Sequence, residues 1–263
     1  MLILLLSLQL RVDSLCDLAC ECEDAGDFRE AIRLNKEALG LTPADSLEWI
    51  SVISNNLSTE YFYLCELDSA AAYAYRALRI DEQRGDSVGI SCALNQLVVV
   101  RMQLGQYEEA RQMTERAIRI EEQLVAEGQF SHESVLAARL GILSEICTKL
   151  GRYTQAEAAS ARAITIDRKE GNLRKLGVHL SQQAAIYTCQ GDYSRALPIL
   201  EESLSLLRKT GNLRSLIITL VPYAQALQAA SRQTEAMSAL EECVQLSYQT
   251  GQRDTRLHAL YER

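Results

Sequence analysis

The chain has 263 residues, with 35 Asp+Glu against 27 Lys+Arg and a net charge of −8. That acidic balance gives no general attraction to phosphate backbones and argues against a nucleic-acid partner. Apolar residues make up 48% and charged residues 24%, which fits a folded chain, and with 3 Pro, 13 Gly, 3 Phe and 1 Trp the breakers and large aromatics are scarce enough to predict an almost wholly helical one.

Residues 2–10, LILLLSLQL, form an apolar run of nine, short of the roughly 20 residues that a bilayer-spanning helix needs. They read in one of two ways. One is the remnant of an export signal, although no Lys or Arg precedes the run and RVDSLC lacks a small-x-small cleavage site. The other is a helix that caps the first repeat. The first reading implies a periplasmic protein and brings in a membrane; the second implies a cytoplasmic one.

Cys16, Cys20 and Cys22 crowd the next segment, but no second Cys/His cluster completes a zinc site, so no metal is expected. A chain this long needs no disulfide framework, and the 8 cysteines read as reduced, small hydrophobic residues.

From residue 25 onward a pattern recurs: a small residue, a turn, an aromatic, then alanine three positions on. The copies are AGDFREAIRLNKEAL (25–39), CELDSAAAYAYRAL (65–78), LGQYEEARQMTERAI (104–118), LGRYTQAEAASARAI (150–164), QGDYSRALPILEESL (190–204) and ASRQTEAMSALEECV (230–244). Their alanines, Ala31, Ala70, Ala110, Ala156, Ala196 and Ala236, are separated by 39, 40, 46, 40 and 40 residues. Seven positions later each copy has a second small residue: Ala38, Ala77, Ala117, Ala163, Ser203 or Cys243. Two helical turns separate the two positions, so both lie on one face and admit a close neighbour. Upstream of each turn lies another amphipathic stretch, so each unit reads as helix A, tight turn, helix B. Gly26, Gly105, Gly151 and Gly191 supply the positive φ that ends helix A. Asp27 and Asp192 stand ready to cap helix B. The longer interval of 46 predicts a looped insertion at VAEGQFSHES (125–134), and Pro222, inside a helix A, predicts a kink.

These segments resemble tetratricopeptide repeats. The family pattern of leucine and a small residue in helix A, then Gly-x-Tyr-x-x-Ala and a second Ala, is matched by Leu94, Leu97, Gly105, Tyr107, Ala110 and Ala117. It is matched again by Leu140, Leu143, Ser144, Gly151, Tyr153, Ala156 and Ala163. The sixth copy is weakest, with Gln233 for the aromatic and Ser231 for the glycine. The resemblance implies an all-α, right-handed superhelical solenoid of six units, at about 12–45, 51–84, 91–124, 137–170, 177–210 and 217–250. Residues 1–12 form the apolar leader, and 251–263 form a capping helix or the start of a seventh repeat. A period near 40 instead of 34 implies longer helices, as in bacterial regulators and adaptor scaffolds.

The resemblance also implies a concave wall lined by helix A. Its inward positions fall on Asn55, Asn56, Thr59, Phe62 and Tyr63 in repeat 2, and on Asn95, Gln96, Val99, Met102 and Gln103 in repeat 3. Repeat 4 gives Gly141, Ile142, Glu145 and Lys149, repeat 5 Ser181, Gln182 and Thr188, and repeat 6 Gln225 and Gln228. Asn and Gln carry donors and acceptors and can bond an extended peptide's backbone. The expected partner-binding set is therefore Asn55, Asn56, Thr59, Phe62, Tyr63, Asn95, Gln96, Val99, Met102, Gln182 and Gln225. Relatives that clamp a C-terminal carboxylate place Lys or Arg beside groove asparagines, and repeats 2 and 3 have none there.

An enzyme needs a convergent constellation. His132, His179 and His258 lie in no motif, a Cys147–His179 pair has no activating environment in the sequence, and P-loop, GxGxxG, HExxH and GxSxG patterns are missing. An RNA-reading solenoid would need a basic groove. The expectation is a non-catalytic scaffold without cofactor that recognises a protein or extended peptide. The alternative is the sensory arm of a bacterial signalling or transcription regulator.

Overall fold

A computed structural model describes the backbone of residues 2–129 and 131–250, and the side chains of all of these except residues 2–7 and 9. The expected helix at 251–263 lies outside the described residues. Among the described residues there are twelve helices and no strand. They form two compact units, Met1–Gln129 and Phe130–Arg263.

The first unit holds three helix pairs: α1 (Leu2–Asp24) with α2 (Phe28–Leu41), α3 (Leu47–Tyr63) with α4 (Leu67–Arg84), and α5 (Ser87–Gln103) with α6 (Tyr107–Ala126). The second holds α7 (His132–Lys149) with α8 (Tyr153–Glu170), α9 (Leu173–Cys189) with α10 (Tyr193–Thr210), and α11 (Leu213–Ala229) with α12 (Gln233–Thr250). The first helix of each pair is a helix A and the second a helix B. The residues added by the long period go into the helices, since α3, α5, α9 and α11 each have 17 residues and α4, α8 and α10 each have 18.

All six turns between helices A and B close alike. A left-handed residue follows helix A, and the next amide reaches back over the last turn, as Gly26 N–H to the Glu23 carbonyl (2.9 Å) and Asp27 N–H to the Cys22 carbonyl (2.8 Å). Gly26, Gly105, Gly151 and Gly191 take φ of +79°, +73°, +70° and +73°. In repeats 2 and 6, which lack glycine there, Cys65 and Ser231 adopt φ of 60° and make the same bonds. Asp27 and Asp192 cap helix B through the amides of Glu30 and Arg195, each at 3.2 Å, and such caps contribute about 1 kcal/mol apiece.

The repeat alanines Ala31, Ala70, Ala110, Ala156 and Ala196 are fully buried and Ala236 is nearly so. Where the second small residue is not alanine, it bonds the facing helix A. Ser203 Oγ donates to the Gly177 carbonyl at 2.6 Å, and Cys243 Sγ reaches the Ile217 carbonyl, one repeat on, at 3.5 Å. Leu57, Ile53 and Leu97 anchor the first unit's core, and Leu200, Leu207 and Leu220 the second's. Each such side chain contributes roughly 1.5–3 kcal/mol by leaving water.

The 46-residue interval is only partly a loop. Helix α6 extends to Ala126 and α7 starts at His132, so the helices absorb the ends of the expected 125–134 insertion. Helix α11 continues through Pro222 without a break in the assigned helix. Residues 2–10 belong to the backbone of α1. The eight cysteines are not joined in disulfides among the described residues, with Cys147 and Cys243 buried and Cys65 exposed. No described helix is long and apolar enough to cross a membrane.

Candidate functional site

Within the first unit, α3 and α5 lie side by side and carry the expected inward residues of repeats 2 and 3. Asn55, Asn56, Thr59, Asn95, Gln96, Val99 and Met102 are all partly exposed. The wall is cross-bonded: Gln96 Nε2 donates to Thr59 Oγ1 at 2.9 Å, and Thr59 Oγ1 donates to the Asn55 carbonyl at 3.1 Å. The side-chain oxygen of Asn55 is buried with no donor in the protein, an acceptor facing the same wall. The aromatic pair is engaged by the fold. Phe62 packs against the core of repeats 1 and 2, and Tyr63 stacks on Phe28 of α2 with ring centroids 4.6 Å apart.

In the second unit the same face opens. A cavity of about 460 Å³ lies along α7, α9 and α11, the three A helices of that unit. Thr148, Ser181, Gln182, Ser215 and Thr219 give it hydroxyl and amide groups, Val178, Ala185 and Ile218 give it apolar surface, and Glu145 and Lys149 one charge of each sign. Ser181 and Thr219 hydroxyls meet at 2.8 Å, tying α9 to α11. Gln182 Oε1 is buried without a donor. Partial desolvation by the cavity walls raises the Glu145 carboxyl above its usual range, with Lys149 acting in the opposite sense.

Beside the cavity, the approach of α9 to α7 depends on a glycine. A Cβ on Gly141 would stand 2.7 Å from the His179 ring and 2.8 Å from Gln182 Oε1, so only glycine lets α9 approach α7 here. Behind that contact His179 Nδ1 pairs with Asp167 Oδ2 at 2.5 Å, both side chains buried. This is a structural role for His179. Cys147 is 1% exposed and its thiol reaches Gln155 Oε1 at 3.9 Å.

Of the expected set, Gln182 of α9 lines the cavity and Gln225 of α11, partly exposed, does not; Asn55, Thr59 and Gln96 meet on the first unit's wall. Sequence reasoning passed over Val178 and Ile218, which hold the second position of repeats 5 and 6, and Ala185, which holds the ninth. The register that selected Gln182 would have selected them too, had apolar and small residues been admitted as wall residues. Ser215 and Thr219 fall outside that register. Among the described residues no cluster of three or more His, Cys, Asp or Glu could hold a metal.

Sequence models of the tetratricopeptide repeat match residues 134–209 and 93–124. No curated protein sequence matches the chain. Similar solved structures include a STAND signal-transduction ATPase with a tetratricopeptide repeat sensor from Pyrococcus horikoshii, at 16% identity and a TM-score of 0.78 over 93% of this chain and 37% of that one. A Rap protein complexed with Competence and Sporulation Factor aligns at 15% identity and a TM-score of 0.68, over 96% of this chain and 73% of that one. The type IV pilus biogenesis factor PilW aligns at 16% identity and a TM-score of 0.68, over 95% of this chain and 98% of that one. The chain thus spans 37% of the length of the archaeal ATPase, and identities this low speak to fold alone. Six helix pairs closed by one turn type, buried alanines recurring at intervals near 40 residues and the two matched segments make this an all-helical repeat scaffold, similar to the tetratricopeptide repeat family over residues 93–124 and 134–209.

Proposed function

We propose that the chain is a non-catalytic scaffold that binds a protein or extended peptide against the helix A walls of its units, with the cavity of the second unit as its principal contact. The observation that carries this is the lining: hydroxyl and amide groups in the middle, apolar Val178 and Ile218 beside them, and a buried Gln182 oxygen with no donor. An unsatisfied buried acceptor costs about 1–3 kcal/mol, which a ligand N–H recovers once the Gln182 side chain turns from Gly141 into the cavity. A backbone amide of an extended segment supplies that donor, and a side chain of modest apolar bulk fits over Ala185. Asn55 Oδ1 offers the same recognition on the wall of the first unit. No cofactor enters this reading.

The test is selection of peptides from a random displayed library on the full chain, followed by titration of the selected sequences. Binding is expected to weaken at least tenfold for Ala185→Leu, which fills the cavity, and also for Gln182→Ala. An Asn55→Ala/Asn95→Ala chain asks the same of the first unit. Peptides that bind every variant equally would remove the reading and leave the fold intact.

A second reading, the sensory arm of a signalling protein, is supported by the likeness to the ATPase whose repeats are named as a sensor and of which this chain covers 37%. It concerns what the bound state controls. Reading the gene beyond codon 263 discriminates: an output domain in frame favours the arm, a stop codon the free scaffold.

A further inference from the structure

Ten residues before each repeat alanine, the later A helices place Val100, Ile146, Ile186 and Ala226, all at most 1% exposed. Helix α3 places Glu60 there, and it is 0% exposed. Four residues after the repeat alanine, the later B helices carry Ala74, Thr114, Ser160, Leu200 and Leu240, whereas α2 carries Asn35, also fully buried. A carboxyl and an amide therefore replace apolar or small residues where the first helix pair meets the second. Asn35 Nδ2 donates to Glu60 Oε1. The other carboxyl oxygen, Oε2, has no donor, and neither does Asn35 Oδ1. A carboxylate buried among apolar side chains with no cation beside it is strongly disfavoured, so the group keeps its proton there.

We infer that Glu60 keeps its proton in the buried contact between α2 and α3, and that loss of this proton releases the first helix pair from α3, making the docking of α1–α2 proton-controlled. The surroundings agree. Glu23 is the charged neighbour that acts on Glu60, while Asp24 acts on Glu23 in turn. Cys16 of α1 feels Glu60, Asp13 and Asp17 and is itself pushed up to about 11, burial being the first cause. Helix α2 faces Glu60 with the neutral Asn35 amide, and the adjacent Lys36 ammonium sits over the Tyr61 ring, 5.3 Å from its centroid. Helix α4 contributes Tyr73, stacked on Tyr61, and α5 contributes Val100 to the same cluster. With no cation bonded to it, the Glu60 carboxyl is raised to about 8, desolvation first and Glu23 adding to it, with the Asn35 bond opposing. The sign follows: a carboxyl raised above its unfolded value stabilises the folded form fully below the ordinary carboxylate range, and that contribution is lost as pH rises through about 8.

The chain's one tryptophan, Trp49 on α3, packs against this cluster and reports on it. Trp49 emission and helical circular dichroism of the full chain should show a reversible transition centred near pH 8 between pH 6 and 9.5, with a red shift and a partial loss of helix. Glu60→Gln, which keeps the shape without the titration, should be flat across that range. Glu60→Val, borrowing the residue of repeat 3, serves as a second non-titrating chain should the glutamine variant fold poorly. Glu23→Gln removes the charge that raises Glu60 and should move the midpoint to lower pH. A wild-type chain with no transition, or the same transition in wild type, Glu60→Gln and Glu60→Val, would overturn the inference.

Discussion

The two units use one repeat register and reach opposite surfaces on their A helices. In the first, the fifth and ninth inward positions hold Asn55, Thr59, Asn95 and Val99, and the Gln96 amide spans from α5 to Thr59 of α3, cross-tying the wall. In the second, the same positions hold Gly141, Glu145, Ser181 and Ala185, and a cavity of about 460 Å³ remains. Ser181 and Ala185 line that cavity with little bulk, whereas Gly141 is covered by His179 and Gln182. The alanines and turns that define the fold do not differ between the units.

The core sets the largest effect. Leu57→Ala in the first unit and Leu220→Ala in the second should each cost about 2–5 kcal/mol, since both are 0% exposed and leave a void. Denaturant melts followed by Trp49, which lies in the first unit, should register Leu57→Ala far more than Leu220→Ala if the units unfold separately; equal responses would show one cooperative unit.

Gly141→Ala comes next. The added methyl meets the His179 ring at 2.7 Å, so a loss of about 1–3 kcal/mol is expected from overpacking, measurable as a lower midpoint in denaturant. The corresponding Asn95→Ala in the first unit should cost less.

Filling the open wall with Ala185→Leu should change stability by less than about 1.5 kcal/mol, because the cavity already has the space. Making the opposite change, Gln96→Ala, should loosen the cross-tied wall by roughly 0.5–1.5 kcal/mol, the net worth of one hydrogen bond.

The smallest effect concerns the turns. Cys65 and Ser231 hold φ of 60° without being glycine, a conformation that costs other residues about 1–2 kcal/mol. Glycine gives back about 0.5–1 kcal/mol in chain entropy, so Cys65→Gly and Ser231→Gly should stabilise by about 0.5–1 kcal/mol net. Thermal melts check the sign.

The fold was legible because its determinants are local and repeated. Ala31 through Ala236 mark helix contacts, and glycine followed by aspartate marks a turn and a cap, so interval and spacing carried the architecture. The site was less legible because a cavity is defined by what is missing. Gln182 could be picked out as a polar residue on the right face, but nothing in Ser181 or Ala185 taken singly announces an opening. The long interval before repeat 4 also looked like a loop, since Gly128 and Ser131 are turn residues, yet the flanking stretches continued their helices to Ala126 and from His132. Glu60 shows the other limit: its carboxyl is buried among apolar residues in the fold, and a lone glutamate in a helix pattern reads as a surface residue.

The most direct test of the account is titration of a library-selected peptide against wild type, Ala185→Leu and Arg79→Ala, the last on α4 of the first unit and no part of the cavity lining. The account predicts at least a tenfold rise in Kd, about 1.4 kcal/mol, for Ala185→Leu with its helicity intact, and no change for Arg79→Ala. Unaltered affinity in a folded Ala185→Leu chain would contradict it.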